Sequence, residues 1–436
     1  MRTSTVIRTA LMAFLSLCFL VTIKAQDKEK LEQFFNSIEG VEIEELEPEE
    51  GFEASYRLMI KQPVDHFNPD AGYFSQQVYL RHKDFSSPMV FVTEGYKAYG
   101  KHITELAHYL DANQITVEHR YFGKSVPDPL LWKYLNIEQA ANDHHRIVQL
   151  FKWLYEGPWV NTGISKGGQT TTYHRYFFPE DVDASVGYVC PLNFSIEDQR
   201  IYDFMNEVGS DECRQKIYDF QKKCLMEKEK LMPEFKKLQQ EKELTFSMEL
   251  DAVFELTVME YSFAFWQWGR FDCEDIPLEE KDPEKIMKHL DRVAGVDWVS
   301  EKNIGYFQPF YYQALTQIGF YGYDLDAFEG LITALKDKTF LFTCPDGEDC
   351  IYDPLPMEAV DHFVRHEADK MLFIYGEYDP WSAPSVQPSG DNDIVKIVKP
   401  AGSHGTRIRN LPDGLKEKAL STLEKWMGVE VTREDP

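Results

Sequence analysis

The chain reads as an α/β protein, a mostly parallel sheet flanked by helices with an all-helical block inserted into it. Three features predict this. Short β-rich runs alternate with helical periodicity up to residue 194, the alternation stops over residues 195–335, and it resumes over residues 336–436. Strands alternating with helices need crossover connections, which give parallel pairing and place helices on the sheet faces. A helical block interrupting such a pattern is best placed as a cap over an α/β core.

Each element has its own signal. Residues 26–53 are acidic, end in EIEELEPEE, and read as a solvated arm or short helix. From Ala54 the runs SYRLMIKQPVDHF, SQQVYLRHKD and PMVFVTEG read as strands, separated by the turn formers Asn68-Pro69-Asp70-Ala71-Gly72 and Ser86-Ser87-Pro88. Helix-like HITELAHYLDA precedes strand-like QITVEHR; IEQAANDHHRIVQLFKWLY precedes WVNTG, and SVGYVC follows. In the inserted block, charges at helical spacing between Glu227 and Glu243 mark a solvated face, and the stretch after it carries a wide apolar face. TFLFTC, KMLFIYG and DIVKIVKP then read as strands, and LKEKALSTLEKWM as a closing helix. There is no internal repeat and no low-complexity tract.

Composition narrows the function. With 436 residues, 43% apolar and 14% aromatic, the chain has ample material for a buried core, which excludes intrinsic disorder. Lys and Arg number 46 against 73 Asp and Glu, a formal charge of −27. That balance argues against nucleic acid or an anionic membrane as partner, since both are held by clustered cations.

The first residues read as a secretory signal. Arg2 and Arg8 form a positive segment, Leu11 to Ile23 is apolar, and Lys24-Ala25-Gln26 supplies a cut after Ala25. The apolar run is short of the ~20 residues a bilayer span needs, and no later window replaces it, so no stable membrane insertion is expected. A lipid anchor at Cys18 is disfavoured by bulky Leu17 before it. The expected location is secreted or periplasmic. Six cysteines then remain in an oxidising compartment: Cys190, Cys213, Cys224, Cys273, Cys344 and Cys350. They suggest up to three disulfides, of which Cys344–Cys350, bracketing a turn, is the best single assignment. Zinc is the rival use, but no CxxC pair or HExxH is present, so no metal is expected.

The sharpest chemical signal is Gly163-Ile164-Ser165-Lys166-Gly167, a G-x-S-x-G match after a short strand and before a helix-competent stretch. In a nucleophile elbow the serine sits on a strained strand-to-helix turn, and flanking small residues allow the bend. A phosphate-binding glycine turn is the alternative, but Walker A is absent and the glycines do not space as GxGxxG. No cofactor is called for. A serine hydroxyl needs a base, and in this class the partners follow in the order Ser, acid, His. Asp379 lies just past the strand KMLFIYG, and His404 lies in a small-residue loop after the next strand. As turn and loop residues they would carry no chemistry; at consecutive strand ends after an elbow they complete a triad of Ser165, Asp379 and His404. The oxyanion would take the backbone N–H of Lys166 and one from the loop Glu94-Gly95-Tyr96. Lys166 as the base itself is the weaker reading with His404 at hand. His144-His145 has no spaced carboxylate partner and reads as structural. Tyr261 to Trp268 reads as helix core, although in a cap Trp266 and Trp268 could line a substrate pocket.

Four motifs in order, Gln62-Pro63-Val64-Asp65-His66-Phe67-Asn68, Glu118-His119-Arg120-Tyr121-Phe122-Gly123-Lys124-Ser125, Gly163-Ile164-Ser165-Lys166-Gly167-Gly168 and Gly376-Glu377-Tyr378-Asp379-Pro380-Trp381, resemble those of two peptidase families. One holds lysosomal prolylcarboxypeptidase and its dipeptidyl-peptidase relative, the other the secreted bacterial prolyl tri/tetrapeptidyl aminopeptidases. The resemblance covers roughly residues 54–430, and the Ser-Lys-Gly-Gly form of the elbow is nearer the bacterial group. It implies a serine exopeptidase of α/β-hydrolase fold with a helical cap, cleaving short peptides after proline through the same triad. It also implies that Trp381 helps wall the proline pocket, where a flat aromatic face suits a pyrrolidine ring. An aminopeptidase takes peptides with a free N-terminus, so a carboxylate must hold the α-ammonium. Glu94 and Glu118, both at strand ends on the catalytic side, are the candidates. Their alternative is an internal salt bridge, for Glu118 with Arg120 or a neighbouring Arg.

Two other functions fit the same residues. An esterase or lipase would use the same triad and fold, and a binding protein could retain the fold without activity. The acidic cap argues against a lipid surface, and the complete triad argues against a binding protein.

Overall fold

The computed structural model describes residues 27–436; the expected signal peptide lies outside the described residues. Strands β1 (Glu42–Leu46), β2 (Ala54–Pro63) and β3 (Tyr73–His82) pair antiparallel in sequence, and β3 pairs antiparallel with β5 (Asn113–Val117). Beyond it β4 (Met89–Thr93), β6 (Trp159–Ile164), β7 (Ala184–Tyr188), β8 (Met371–Gly376) and β9 (Ile394–Lys399) all run parallel. The sheet order is β1-β2-β3-β5-β4-β6-β7-β8-β9. This mostly parallel sheet with an antiparallel edge and flanking helices is an α/β-hydrolase fold.

Alternate residues of the central strands feed two apolar layers, as the two-residue period of a strand requires. Met89 and Phe91 pack with helices α1 (residues 27–37) and α3 (Ile137–Phe151). Val90 and Val92 pack on the opposite face with α2 (Glu105–Tyr109) and the C-terminal helix over Asp413–Met427. Helix α4 (Lys166–Phe177) follows β6 directly.

Of the acidic segment expected as a solvated arm or short helix, residues 27–37 form a helix, and one face of it enters the core. Leu31, Phe34 and Phe35 fall at helical spacing and are buried, with Phe34 edge-on to Phe151 at 5.1 Å and Phe35 to Tyr56 at 4.9 Å. The acidic strand β1 closes the sheet edge, where charged side chains discourage pairing with another chain.

Between β7 and β8 the chain leaves the sheet and builds α5 (Gln199–Met205), α6 (Asp211–Met226), α7 (Lys228–Glu241), α8 (Leu250–Trp268), α9 (Pro283–Ala294) and α10 (Glu301–Gln313). α11 (Leu355–His366) then returns to β8, and α12 (Asp413–Met427) closes the fold. TFLFTC, expected as a strand, forms only a 3-10 turn at Leu341–Thr343. Both sides of β8 are taken by β7 and β9, so the sheet offers no edge there. Phe340 is buried instead among Trp298, Tyr311 and Phe320, which attaches residues 336–354 to the inserted helices.

Two disulfides form, Cys344–Cys350 and Cys213–Cys273. The third that the cysteine count allowed does not. Cys190 and Cys224 are buried and unpaired, and burial pushes the Cys190 thiol up to about 11. Among the described residues no helix is long and apolar enough to cross a membrane, and no group of three or more His, Cys, Asp or Glu side chains could hold a metal ion.

Candidate active site

Ser165 stands between β6 and α4 with φ 57° and ψ −121°, a backbone region that non-glycine residues enter only when their surroundings enforce it. Those surroundings are visible. Its N–H donates to Tyr188 O at 2.8 Å, and its carbonyl accepts from Gln169 N at 3.0 Å. A Cβ on Gly163 would lie 2.1 Å from Gly167 O, so the turn closes only with glycine there.

The tips of β8 and β9 carry the two expected partners. Asp379, fully buried after β8, accepts from Trp381 N at 3.2 Å through one oxygen. Its other oxygen lies 2.7 Å from His404 Nδ1, in the loop after β9. The His404 backbone N–H donates to Gln267 O at 2.8 Å, and Trp268 stands edge-on to the imidazole at 5.9 Å. The end of α8 therefore rests on the histidine loop.

Ser165 and His404 open into one cavity of about 710 Å³, between the strand tips and the inserted helices. Glu94, Tyr96, Lys166, Trp268 and Trp381 also line it. Gly95 lies against the elbow so closely that a Cβ would come within 2.6 Å of Gly167 N. Neither the Tyr96 nor the Lys166 backbone N–H has an acceptor among the described residues. For Lys166 this follows from its place at the first position of a helix. The arrangement brings together a serine hydroxyl on a strained turn, an imidazole paired with a carboxylate, and two backbone N–H groups without acceptors among the described residues.

The two candidate carboxylates part company. Glu94 faces the cavity, accepts no hydrogen bond among the described residues, and is pushed up to about 7 by burial and the nearby Glu118. Glu118 is fully buried and turned into its own loop. It accepts from Lys124 N at 2.7 Å, Ser125 N at 3.0 Å, Ser125 Oγ at 2.9 Å, Ala98 N at 3.1 Å and Gln77 Nε2 at 3.0 Å. The alternative partner for it, Arg120, binds Asp143 instead, at 2.6 and 2.8 Å. Glu118 is thus a structural brace, not a cavity residue.

Trp266 keeps to the helix-core reading and does not line the main cavity. It is buried inside the insertion, edge-on to Tyr378 at 5.4 Å, and borders a separate cavity of about 430 Å³. Two helices further along the chain, α10 supplies what the sequence reading missed: Tyr306, Phe307, Phe310 and Tyr311 line the main cavity, with Phe320 and Tyr321 just after. Their spacing, i, i+1, i+4 and i+5, is a one-sided aromatic stripe, which was the available signal. Trp381 stands in this wall, 5.4 Å from Tyr321 and 5.6 Å from Phe320. Lys166 Nζ turns to Gly95 O at 2.7 Å and makes no hydrogen bond to Ser165. His145, expected without a carboxylate partner, has one in Asp181 at 2.9 Å.

Fold and family together define a serine hydrolase. Residues 24–435 match the family described as PS-10 peptidase S37, and the chain belongs to that family. It is 33% identical over 401 residues to a prolyl tri/tetrapeptidyl aminopeptidase of Streptomyces mobaraensis, covering 90% of this chain and 84% of the relative. It is 25% identical to a probable serine protease, EDA2, of Arabidopsis thaliana, over 81% of each chain. A solved proline iminopeptidase of Mycobacterium smegmatis overlaps 85% of this chain and 98% of its own at a TM-score of 0.42 and 11% identity.

Proposed function

We propose that the protein is a secreted serine exopeptidase that releases short N-terminal peptides by cutting after proline. The observation that carries the reading is the Asp379–His404 pair at 2.7 Å, opening into the cavity that holds Ser165 on its strained turn. Ser165 Oγ attacks the prolyl carbonyl carbon as His404 Nε2 takes its proton. Asp379, on Nδ1, fixes the tautomer and stabilises the imidazolium. The Tyr96 and Lys166 N–H groups receive the oxyanion. Collapse breaks the C–N bond, His404 returns the proton to the leaving amine, and water hydrolyses the acyl-enzyme by the same route.

Proline specificity is supported by the aromatic wall around Trp381 and by the resemblance to the Streptomyces aminopeptidase. Glu94 is our assignment for the α-ammonium anchor, because its carboxylate faces the cavity with no donor of its own. Export is supported by the apolar leader and the two disulfides.

The test is chromophore release from an Xaa-Yaa-Pro-anilide with a free amine, beside its N-acetylated form and a fatty ester. Cleavage of the free anilide, lost in Ser165→Ala, is expected. Hydrolysis of the fatty ester alone would replace the peptidase reading with an esterase.

A further inference from the structure

The Lys166 side chain does something the triad does not require. It is buried, and none of the ion pairs among the described residues includes it. Nζ donates to Gly95 O at 2.7 Å and lies over the rings of Tyr96 and Phe122, at 5.5 and 5.4 Å from their centroids. Burial alone drives its ammonium well below the usual lysine range. A buried amine held by one carbonyl is costly compared with an apolar side chain of the same length.

The carbonyl it holds belongs to the Gly95–Tyr96 peptide. That unit is planar and trans, so its C=O and its N–H point in opposite directions. A donor on Gly95 O therefore sets the direction of the Tyr96 N–H, and polarisation through the amide strengthens that N–H as a donor. The same loop lies against the elbow at Gly95, and its N–H has no other acceptor. Phe122 sits in the loop that Glu118 braces through Lys124 and Ser125, so the ring that confines Nζ is itself held in place.

We propose that Lys166 is a positioning residue for the oxyanion site: its Nζ locks the Gly95–Tyr96 peptide so that the Tyr96 N–H faces the carbonyl attacked by Ser165. Lys166 would thus serve the site twice, through its backbone N–H directly and through its side chain by way of Gly95. This rests on Ser165 being the nucleophile and is independent of proline specificity.

The experiment compares wild type, Lys166→Met and Lys166→Gln for the rate at which a fluorophosphonate labels Ser165, because the P=O of that probe occupies the oxyanion site whatever the natural substrate. Lys166→Met should label ~10- to 100-fold more slowly, with the affinity for a Pro-terminated product peptide within about threefold of wild type. Lys166→Gln, which keeps an N–H donor, should recover part of the rate. If Met fails to fold, Gln with a melting temperature near wild type carries the comparison: labelling slower than wild type, by up to ~100-fold, is expected, and the wild-type rate would overturn the inference. Labelling of a folded Lys166→Met at the wild-type rate would overturn the inference and leave the serine-hydrolase reading intact. Failure of wild type to label at all would remove both.

Discussion

The loops after β4 and β5 begin alike and end differently. Thr93 and Val117 are register partners on adjacent parallel strands, and each is followed by a glutamate. After β5 the chain curls back, and the N–H groups of Lys124 and Ser125, with Ala98 from the neighbouring loop, consume the Glu118 carboxylate. After β4 the chain lies against the elbow, no N–H turns back, and Glu94 is left facing the cavity. The same residue at the same height on the sheet becomes a brace or a candidate binder according to where its own loop sends its amides. A carboxylate already satisfied by backbone donors has little left for a substrate ammonium.

This contrast can be broken by substitution. Glu118→Ala leaves four donors without an acceptor, the Ser125 N–H alone keeping Phe122 O at 2.8 Å, and should cost on the order of 3–5 kcal/mol, read as a lower urea midpoint. Its residual activity should fall equally on free and N-acetylated peptides. Glu94→Gln should leave the urea midpoint unchanged or higher, while kcat/KM on free-amine peptides falls ~30-fold, the equivalent of about 2 kcal/mol for a charge-assisted hydrogen bond. Parallel behaviour of the two variants would erase the distinction.

pH sharpens it further. An ammonium is bound by the ionised carboxylate, and Glu94 in the free enzyme ionises near 7. The contribution of Glu94 to kcat/KM for free-amine peptides should therefore be lost as pH falls below about 7 and be absent in Glu94→Gln. A profile unchanged by that substitution would count against the anchor.

Glu260 on α8 is an intermediate case with a smaller effect. It is buried, accepts from Tyr321 Oη at 2.9 Å and Tyr323 Oη at 2.6 Å, and burial still pushes it up to about 7. Because the folded pKa exceeds the unfolded one, the folded state holds the extra proton between its ordinary 4.5 and about 7. Stability should thus fall as pH rises through that window. Glu260→Gln should remove that slope in melting temperature, and a slope retained in the variant would exclude Glu260 as its source.

Much of the fold was legible because its signals are local. Short apolar runs bounded by Gly and Pro mark β4, β6 and β8, and the small residues around Ser165 and His404 advertise tight turns. What was missed depends on distant partners. Glu94 and Glu118 look equivalent until Gln77, Ala98 and Ser125 are in place around one of them. Six residues of TFLFTC suit a strand or a buried turn equally, and only the occupied edges of β8 decide. The acidic N-terminal segment hid Leu31, Phe34 and Phe35 behind its charge. The aromatic stripe on α10 was legible as helix but not as cavity wall, because helical aromatics are most often core.

The most direct measurement is the ratio of kcat/KM for a free Xaa-Yaa-Pro-anilide to that for its N-acetylated form, in wild type and in Glu94→Gln. A large ratio in wild type that collapses toward one in the variant is the result expected of a proline-directed aminopeptidase anchored at Glu94. Equal rates on both substrates in wild type would contradict it.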